Sequence, residues 1–227
     1  MIRVQKLDYF SSNRRNATAM LSAHLTNKGG DRSDNFMSWS SSLLFVIQYA
    51  IYRQYHDRCP LTDVKVCVVD TTKFQPGQFA RDIWLYRNRR ATAEPGRETQ
   101  LQSLMQPREI GFDDNGEYLS QGKVKLEGRS STVSLQDLYE GGLGSLYPEL
   151  CDAETRRQWT SLVLELRGAW NRSTYSTTVE EIDDALSVAG KFEGLSRFDI
   201  ALVLLAMKNR DVGDPGVYGK DMTPSVP

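Results

Sequence analysis

Apolar and polar positions follow two different periods in the first third of the chain. Residues 2–7 alternate apolar with polar side chains and predict a strand that carries Arg3. Residues 36–40 have β character, and the apolar side chains of residues 43–55 recur at helical spacing. The β-branched run at residues 64–69 predicts a buried strand. This succession of strands and helices indicates an α/β or α+β fold built in layers.

The middle of the chain predicts a helix followed by short strands. Helical spacing indicates a helix over residues 78–90. Residues 109–112 are predicted to form a strand, and the Asp-Asp-Asn-Gly sequence that follows is a strong turn signal. Two further strands are predicted at residues 117–119 and 123–126. Glu117 therefore begins a strand next to a turn, where an exposed carboxylate is the ordinary case.

Helical patterns dominate after the last of these strands. A short helix is predicted at residues 134–139, and the glycine-rich residues 141–145 are interpreted as a linker because they match no nucleotide-binding motif. An amphipathic helix is predicted over residues 152–170. A second helix is predicted to begin at Thr178, with acidic residues in its first turn, and Ser196 is predicted to cap a third.

This pattern divides the chain into three predicted parts. Residues 1–150 are predicted to form one mixed domain of strands and helices, and residues 151–211 a helical subdomain. Residues 212–227 are rich in proline and glycine, which predicts a flexible tail. The sequence contains no internal repeat and no low-complexity segment.

Composition narrows the class of protein. With 40% hydrophobic and 25% charged residues, the chain is typical of a globular protein. A formal net charge of −1 gives no support to nucleic-acid or membrane binding driven by overall charge. The three cysteines are widely separated, which fits a reducing compartment, and the two histidines give no zinc-binding spacing. We expect an intracellular protein without a membrane partner or a bound metal, since no apolar stretch resembles a signal peptide or a membrane span.

Three consecutive serines, at residues 40–42, stand between the second predicted strand and the helix after it. The simpler interpretation is that they cap that helix, since serine is a favoured N-cap residue. A strand that delivers serines to a helix N-terminus also suits a phosphate or a ribose. The two interpretations do not exclude each other.

Several familiar catalytic patterns are missing from the sequence. There is no Gly-x-Ser-x-Gly motif, and neither His24 nor His56 stands in a context that indicates a Ser-His-Asp triad. The paired carboxylates fall in predicted turns or at a predicted helix start, so a glycosidase has no support. His24 is either a ligand contact or an ordinary histidine at a helix end.

The sequence Phe-Met-Ser-Trp-Ser-Ser at residues 36–41 resembles the Phe-x-Ser-Thr-Ser element of ADP-ribosyltransferases, with Trp39 where the family usually has threonine. The strand that begins at Glu117 resembles the late strand that carries the family's catalytic glutamate. Arg3 stands where the family's first strand carries arginine or histidine. The order arginine, serine, glutamate is also similar to that of fungal domains of unknown function with the same fold. The resemblance covers residues 1–150.

The resemblance implies an α+β fold with an ADP-ribosyltransferase-like split β-sheet core, and a reaction in which NAD is the substrate. The nicotinamide–ribose bond would be cleaved, and ADP-ribose would pass to a protein or nucleic-acid acceptor or to water. Glu117 would stabilise the oxocarbenium character of the transition state. The resemblance implies that Arg3 holds the phosphates of NAD and that Ser38 and Ser40 orient the nicotinamide ribose. Trp39, which can stack on nicotinamide, and His24, as an alternative ligand contact, complete the set of expected NAD-binding residues.

Two departures from the family pattern leave alternatives open. Asn115 stands where members that modify arginine carry glutamate or glutamine, which puts arginine as the acceptor in doubt. Trp39 either crowds the site or offers a ring that stacks on nicotinamide. The alternative is a catalytically inactive binding or protein-interaction module, and an unrelated α+β protein is a third interpretation.

Overall fold

The structure, a computed structural model, describes residues 14–26, 35–89, 97–109, 114–152 and 154–211. In chain order its elements are α1 (Arg14–Leu25), β1 (Phe36–Ser40), α2 (Leu43–Asp57), β2 (Lys65–Val69), β3 (Ala80–Arg81), α3 (Asp82–Arg89), α4 (Arg97–Glu109), β4 (Glu117–Gln121), β5 (Ser130–Ser134), α5 (Leu135–Glu140), α6 (Leu143–Leu146), α7 (Thr160–Arg172), α8 (Val179–Ala189) and α9 (Arg197–Leu205). The predicted strand at residues 2–7, with Arg3, and the predicted tail at residues 212–227 lie outside the described residues.

The chain divides into two compact units. Unit 1 contains the described residues up to Tyr49 together with Val66–Thr132, and unit 2 contains Ala50–Lys65 together with the described residues from Val133 onward. This division differs from the boundary predicted after residue 150, because α5, α6 and the second half of α2 belong to the same unit as the later helices.

The sheet of unit 1 has three strands in the order β1-β4-β3, and both pairings are antiparallel. Ser40 of β1 pairs with Glu117 of β4, and Ser38 pairs with Leu119. Because side chains alternate between the two faces of a strand, these four residues share one face. Trp39, between the two serines, lies on the opposite face.

The face that carries the two serines is also the face on which helices pack. Leu119 of β4 belongs to a buried cluster with Ala17 and Leu21 of α1 and Leu85 of α3. Phe36 of β1 packs against the margin of this cluster. The strand positions that carry Ser38 and Glu117 are therefore fixed by the hydrophobic core beside them.

A separate two-stranded sheet is formed by β2 and β5. Its strands are antiparallel, since Asp70 N donates to Arg129 O at one end and Leu135 N donates to Val64 O at the other, both at 2.9 Å. Two small antiparallel sheets and a set of helices make the fold α+β, which confirms the predicted class.

Unit 2 consists mainly of helices whose starts are defined by capping side chains. Ser134 and Asp137 form a capping box at α5, and Thr178 and Glu181 form another at α8. Ser196 caps α9, so the predicted starts of α8 and α9 are confirmed. The core of the unit contains large buried side chains, among them Leu143, Leu146, Tyr147, Leu162, Val163, Leu166, Trp170, Val188, Phe192 and Leu204.

Three features of the middle of the chain differ from the sequence pattern. Glu109, predicted to begin a strand, ends α4 and forms a 2.8 Å ion pair with Arg87 of α3. Residues 123–126 are not a strand, because Gly122 takes a φ of 75° at the end of β4 and turns the chain. Strand β5 has no clear counterpart in the sequence pattern, since one of its buried positions is the polar Ser131.

The predicted helices also require corrections at their boundaries. The segment at residues 78–90 contains the short strand β3 before α3 begins. The helix predicted over residues 152–170 begins later, at α7, because Trp159 has non-helical backbone angles (φ −122°, ψ −90°). The glycine-rich residues 141–145 are more than a linker, since α6 begins within them.

Candidate functional site

A hydrogen bond between neighbouring strands joins Ser38 to Glu117. Ser38 Oγ donates to Glu117 Oε1 at 2.8 Å. The bond runs diagonally from β1 to β4, because the residue directly opposite Glu117 is Ser40. Two residues that sequence reasoning selected, 79 positions apart in the chain, are therefore in direct contact on one face of the sheet.

His24 of α1 extends this contact from the helical layer. Its Nε2 lies 2.9 Å from Ser38 Oγ. A hydroxyl has one proton, and Ser38 donates that proton to Glu117, so the bond to His24 requires that Nε2 carry a proton and act as the donor. The imidazole is therefore not placed as a base for Ser38, and the arrangement differs from the Ser-His pair of a serine hydrolase.

Arg108, in the last turn of α4, holds the second carboxylate oxygen of Glu117. Its Nη1 donates to Glu117 Oε2 at 2.7 Å and to Asp82 Oδ2 at 2.6 Å. Asp82 is the first residue of α3, and its side chain is 1% exposed. A single guanidinium nitrogen thus bridges a buried carboxylate and the carboxylate that faces Ser38.

Burial and the neighbouring charges have opposing effects on the pKa values of Asp82 and Arg108. Burial raises the pKa of Asp82 above its usual value, although the hydrogen bond from Arg108 opposes the shift. Burial also disfavours the charged form of Arg108, but the carboxylates of Glu117 and Asp82 outweigh that effect and raise the pKa of its guanidinium. Arg108 is therefore a permanent cation between the two carboxylates.

The group carries more negative than positive charge. Two carboxylates, those of Asp82 and Glu117, face the single guanidinium of Arg108, and the Ser38 hydroxyl adds no charge. Unlike charges within a few ångströms attract more strongly beside a core than in water, so a cation near Glu117 is favoured and an anion is disfavoured. A positively charged ring or a developing carbocation fits this location better than a phosphate.

Ser40, to which the resemblance gives a role in ribose binding, forms hydrogen bonds with backbone groups close to it. Its Oγ donates to Asn115 O at 2.6 Å and accepts from Ser42 N at 3.0 Å. Ser42 Oγ in turn accepts from Phe45 N at 3.3 Å, which is the geometry of a cap at the start of α2. The capping interpretation is thus confirmed for Ser42, whereas Ser40 Oγ binds the backbone groups of Asn115 and Ser42. Ser38 is the serine of this stretch that contacts Glu117.

Trp39 does not share the location of Ser38 and Glu117. Its Nε1 donates to Ser120 Oγ at 2.8 Å, and its ring meets the ring of Phe79 edge-on at 5.4 Å. Because these contacts lie on the opposite face of the sheet, the expected stacking of Trp39 on a nicotinamide beside Glu117 has no support from its placement.

The turn that precedes Glu117 is tightly held. Gly116 has a φ of 61°, and a Cβ at this position would overlap Ser41 Oγ. Ser41 N donates to Gly116 O at 2.9 Å, while Asp114 accepts from Gly116 N at 2.8 Å and from Arg81 at 2.7 Å. The close-packed glycine, in a conformation that other residues rarely adopt, therefore fixes the point at which β4 begins.

Sequence reasoning missed Arg108 and Asp82. Their contacts join residues 26 and 9 positions apart, and neither residue stands in a recognised motif. A usable signal is that Asp82 shares a helix face with Leu85 and Tyr86, both buried, since a carboxylate on an apolar face requires a partner. Arg3, implied as the phosphate ligand, lies outside the described residues.

Three observations bear on the class of protein. Within the described ranges, no group of three or more His, Cys, Asp or Glu side chains is arranged to hold a metal ion. No helix in those ranges has the length and hydropathy that crossing a membrane requires. Comparison with models of protein families, with curated proteins and with solved structures found no match for this chain.

Proposed function

We propose that this chain binds NAD against Ser38 and Glu117 and cleaves the nicotinamide–ribose bond, passing ADP-ribose to an acceptor or to water. The observation that carries the proposal is the 2.8 Å hydrogen bond between Ser38 Oγ and Glu117 Oε1, on one face of neighbouring strands. The same two positions resemble the serine and glutamate of ADP-ribosyltransferases.

The chemistry asks for a carboxylate beside the ribose. When the C1′–N bond breaks, its electron pair leaves with nicotinamide and neutralises the positive ring nitrogen, and the ribose carbon gains oxocarbenium character. A carboxylate already in place stabilises that charge without reorganisation. The acceptor then forms a bond to C1′ through a lone pair, and its proton passes to solvent. Glu117 is the residue assigned to this role.

The local charge supports the nicotinamide end of NAD as the part bound here. Asp82 and Glu117 together outnumber Arg108 in charge, which favours a cationic ring and disfavours a pyrophosphate at this point. Ser38 Oγ, held by Glu117, is available to orient a ribose hydroxyl beside the carboxylate. The phosphates are assigned to Arg3 by the resemblance alone.

A second candidate function is binding of NAD or ADP-ribose without cleavage. The specific observation in its favour is that Glu117 is engaged through both oxygens, one by Ser38 and one by Arg108. A carboxylate that shares its charge with a guanidinium stabilises an oxocarbenium ion less well. Asn115, in place of a second acidic residue or glutamine, favours the same alternative.

Incubation of the full chain with NAD, with release of nicotinamide followed by chromatography and binding followed by calorimetry, tests both candidates. We expect Glu117→Gln to lower the rate of release by at least about a hundredfold and Ser38→Ala by roughly tenfold. Glu127→Gln is the matched control, since Glu127 is an exposed carboxylate of unit 1 in the turn between β4 and β5. Its rate should equal that of wild type.

The outcomes separate the candidates. Nicotinamide release that depends on Glu117 supports the enzyme. Binding of NAD without release supports the binding module. If wild type neither binds NAD nor releases nicotinamide, both candidates fail. If Glu117→Gln is as active as wild type, the catalytic assignment of Glu117 is wrong.

A further inference from the structure

Arg108 is held in place by Asp82, a buried carboxylate that would be destabilised without this cation. Asp82 is 1% exposed, and both of its oxygens are engaged: Oδ1 accepts from Ile83 N at 2.7 Å and Oδ2 accepts from Arg108 Nη1 at 2.6 Å. A buried carboxylate that loses its cation is strongly destabilising. The guanidinium is therefore confined to one position at the edge of the site.

The same nitrogen that meets Asp82 also meets Glu117. Arg108 Nη1 donates to Glu117 Oε2 at 2.7 Å, and the Arg108 and Glu117 side chains are 16% and 22% exposed. Glu117 Oε1 is then turned toward Ser38. With one oxygen held from α4 and the other from β1, the plane of the carboxylate is defined from two sides.

We infer that Arg108, anchored by Asp82, is a positioning residue that fixes the orientation of the Glu117 carboxylate for the reaction. This inference rests on the proposed function. Arg108 contacts no substrate in this role and acts through Glu117. Its removal should therefore slow the chemical step and leave the affinity for NAD nearly unchanged, because a misplaced catalytic group costs rate rather than ground-state binding.

A second ion pair between the same two helices provides the matched control. Arg87 of α3 and Glu109 of α4 are 2.8 Å apart, but the Arg87 side chain is 59% exposed and the pair does not touch Glu117. If α3–α4 pairing in general were what mattered, Arg87→Met and Arg108→Met would have similar effects. If Arg108 positions Glu117, only Arg108→Met should affect the reaction.

The experiment measures kcat and KM for NAD in the full-chain variants Arg108→Met, Arg108→Lys and Arg87→Met. Because Arg108→Met leaves the buried Asp82 carboxylate without a cation, the double variant Asp82→Asn/Arg108→Met is included, which removes both charges. We expect kcat to fall by tenfold to about a hundredfold in both variants that carry methionine at position 108, with KM changed by less than about threefold. Arg108→Lys should recover part of the loss, since a single nitrogen makes both contacts.

Several results would overturn the inference. Unchanged kcat in the Arg108 variants, a rise in KM alone, or an equal loss in Arg87→Met would each do so. Unfolding temperatures of Arg108→Met, Glu117→Gln and the combined variant Arg108→Met/Glu117→Gln give an independent measure. The two single losses should not add in the combined variant, because both changes break the same contact. Additive losses would reject the contact. Absence of nicotinamide release in wild type rejects the proposed function separately, and the unfolding temperatures still decide whether Arg108 holds Glu117.

Discussion

Lys208 is surrounded by three aromatic rings and a carboxylate in unit 2. Its Nζ lies 5.2 Å from each of the ring centroids of Tyr147, Trp170 and Tyr175, and 3.0 Å from Glu149 Oε1. The lysine side chain is 10% exposed. The ammonium is therefore largely removed from water, and its stability depends on the rings and on Glu149.

The substitution Lys208→Met keeps an unbranched side chain and removes the charge. Each of the three partly desolvated cation–π contacts contributes about 1 kcal/mol, and the ion pair to the 34% exposed Glu149 contributes about 1 kcal/mol. The substitution therefore removes roughly 4 kcal/mol of favourable interaction. Methionine no longer incurs the desolvation cost of the ammonium, which recovers part of this amount. We expect a net loss of about 1–3 kcal/mol in the free energy of unfolding.

Chemical denaturation followed by tryptophan fluorescence measures this loss, because Trp170 reports on the environment of the lysine. Lys65→Met is the control, since Lys65 is an exposed lysine of the same unit. It should change the free energy of unfolding by less than about 0.5 kcal/mol. A Lys208→Met variant as stable as wild type would refute the reasoning, because desolvation would then cancel the contacts with the rings.

Two further predictions follow from positions with clear physical constraints. Gly116→Ala should destabilise unit 1 by about 1–3 kcal/mol in thermal unfolding. Gly122→Ala should cost less, because both glycines have a positive φ but only at Gly116 would a Cβ overlap Ser41. Equal losses would contradict the role of the close contact. Burial raises the pKa of Tyr139 and Tyr147 from the usual value of 10.0 to about 12, so the unfolded chain releases phenolic protons from pH 10 upward that the folded chain retains. The contribution of these two tyrosines to stability is therefore fully present below pH 10 and is lost as the pH rises through 12. Phenolate absorbance during an alkaline titration should show two tyrosines ionising with unfolding, and ionisation near pH 10 without unfolding would contradict the burial.

Local signals in the sequence predicted the parts of the fold that depend on neighbours in the chain. The helix start predicted at Thr178 and the cap predicted at Ser196 identified the starts of α8 and α9, because the residues that define a helix start are close together in the sequence. The strand that carries Ser38 and the helix after it were likewise visible in the hydrophobic pattern. Because side chains alternate along a strand, the sequence also indicates that Trp39 faces away from Ser38. The family resemblance, by contrast, predicted that both residues contact the same ligand.

The candidate site was only partly predictable because its contacts are not local. Nothing in the sequence states that Arg108 lies between Asp82 and Glu117, since that depends on how α3, α4 and β4 pack. The different roles of Ser38 and Ser40 depend in the same way on which β4 atoms lie opposite them. Residue type and spacing identified the serines, and tertiary packing decided their roles.

The diagonal bond between Ser38 and Glu117 has a consequence for folding. A slip of β1 against β4 by one residue would exchange the faces of every side chain on β1, so that Ser38 would lie beside Phe79 and a tryptophan would stand against Glu117. The strands are joined across a long separation in the chain, and such pairings form late and slowly. Mispaired intermediates would therefore lack the contact between Ser38 and Glu117 altogether. Formation of that contact during refolding would show that the two strands had reached their correct register.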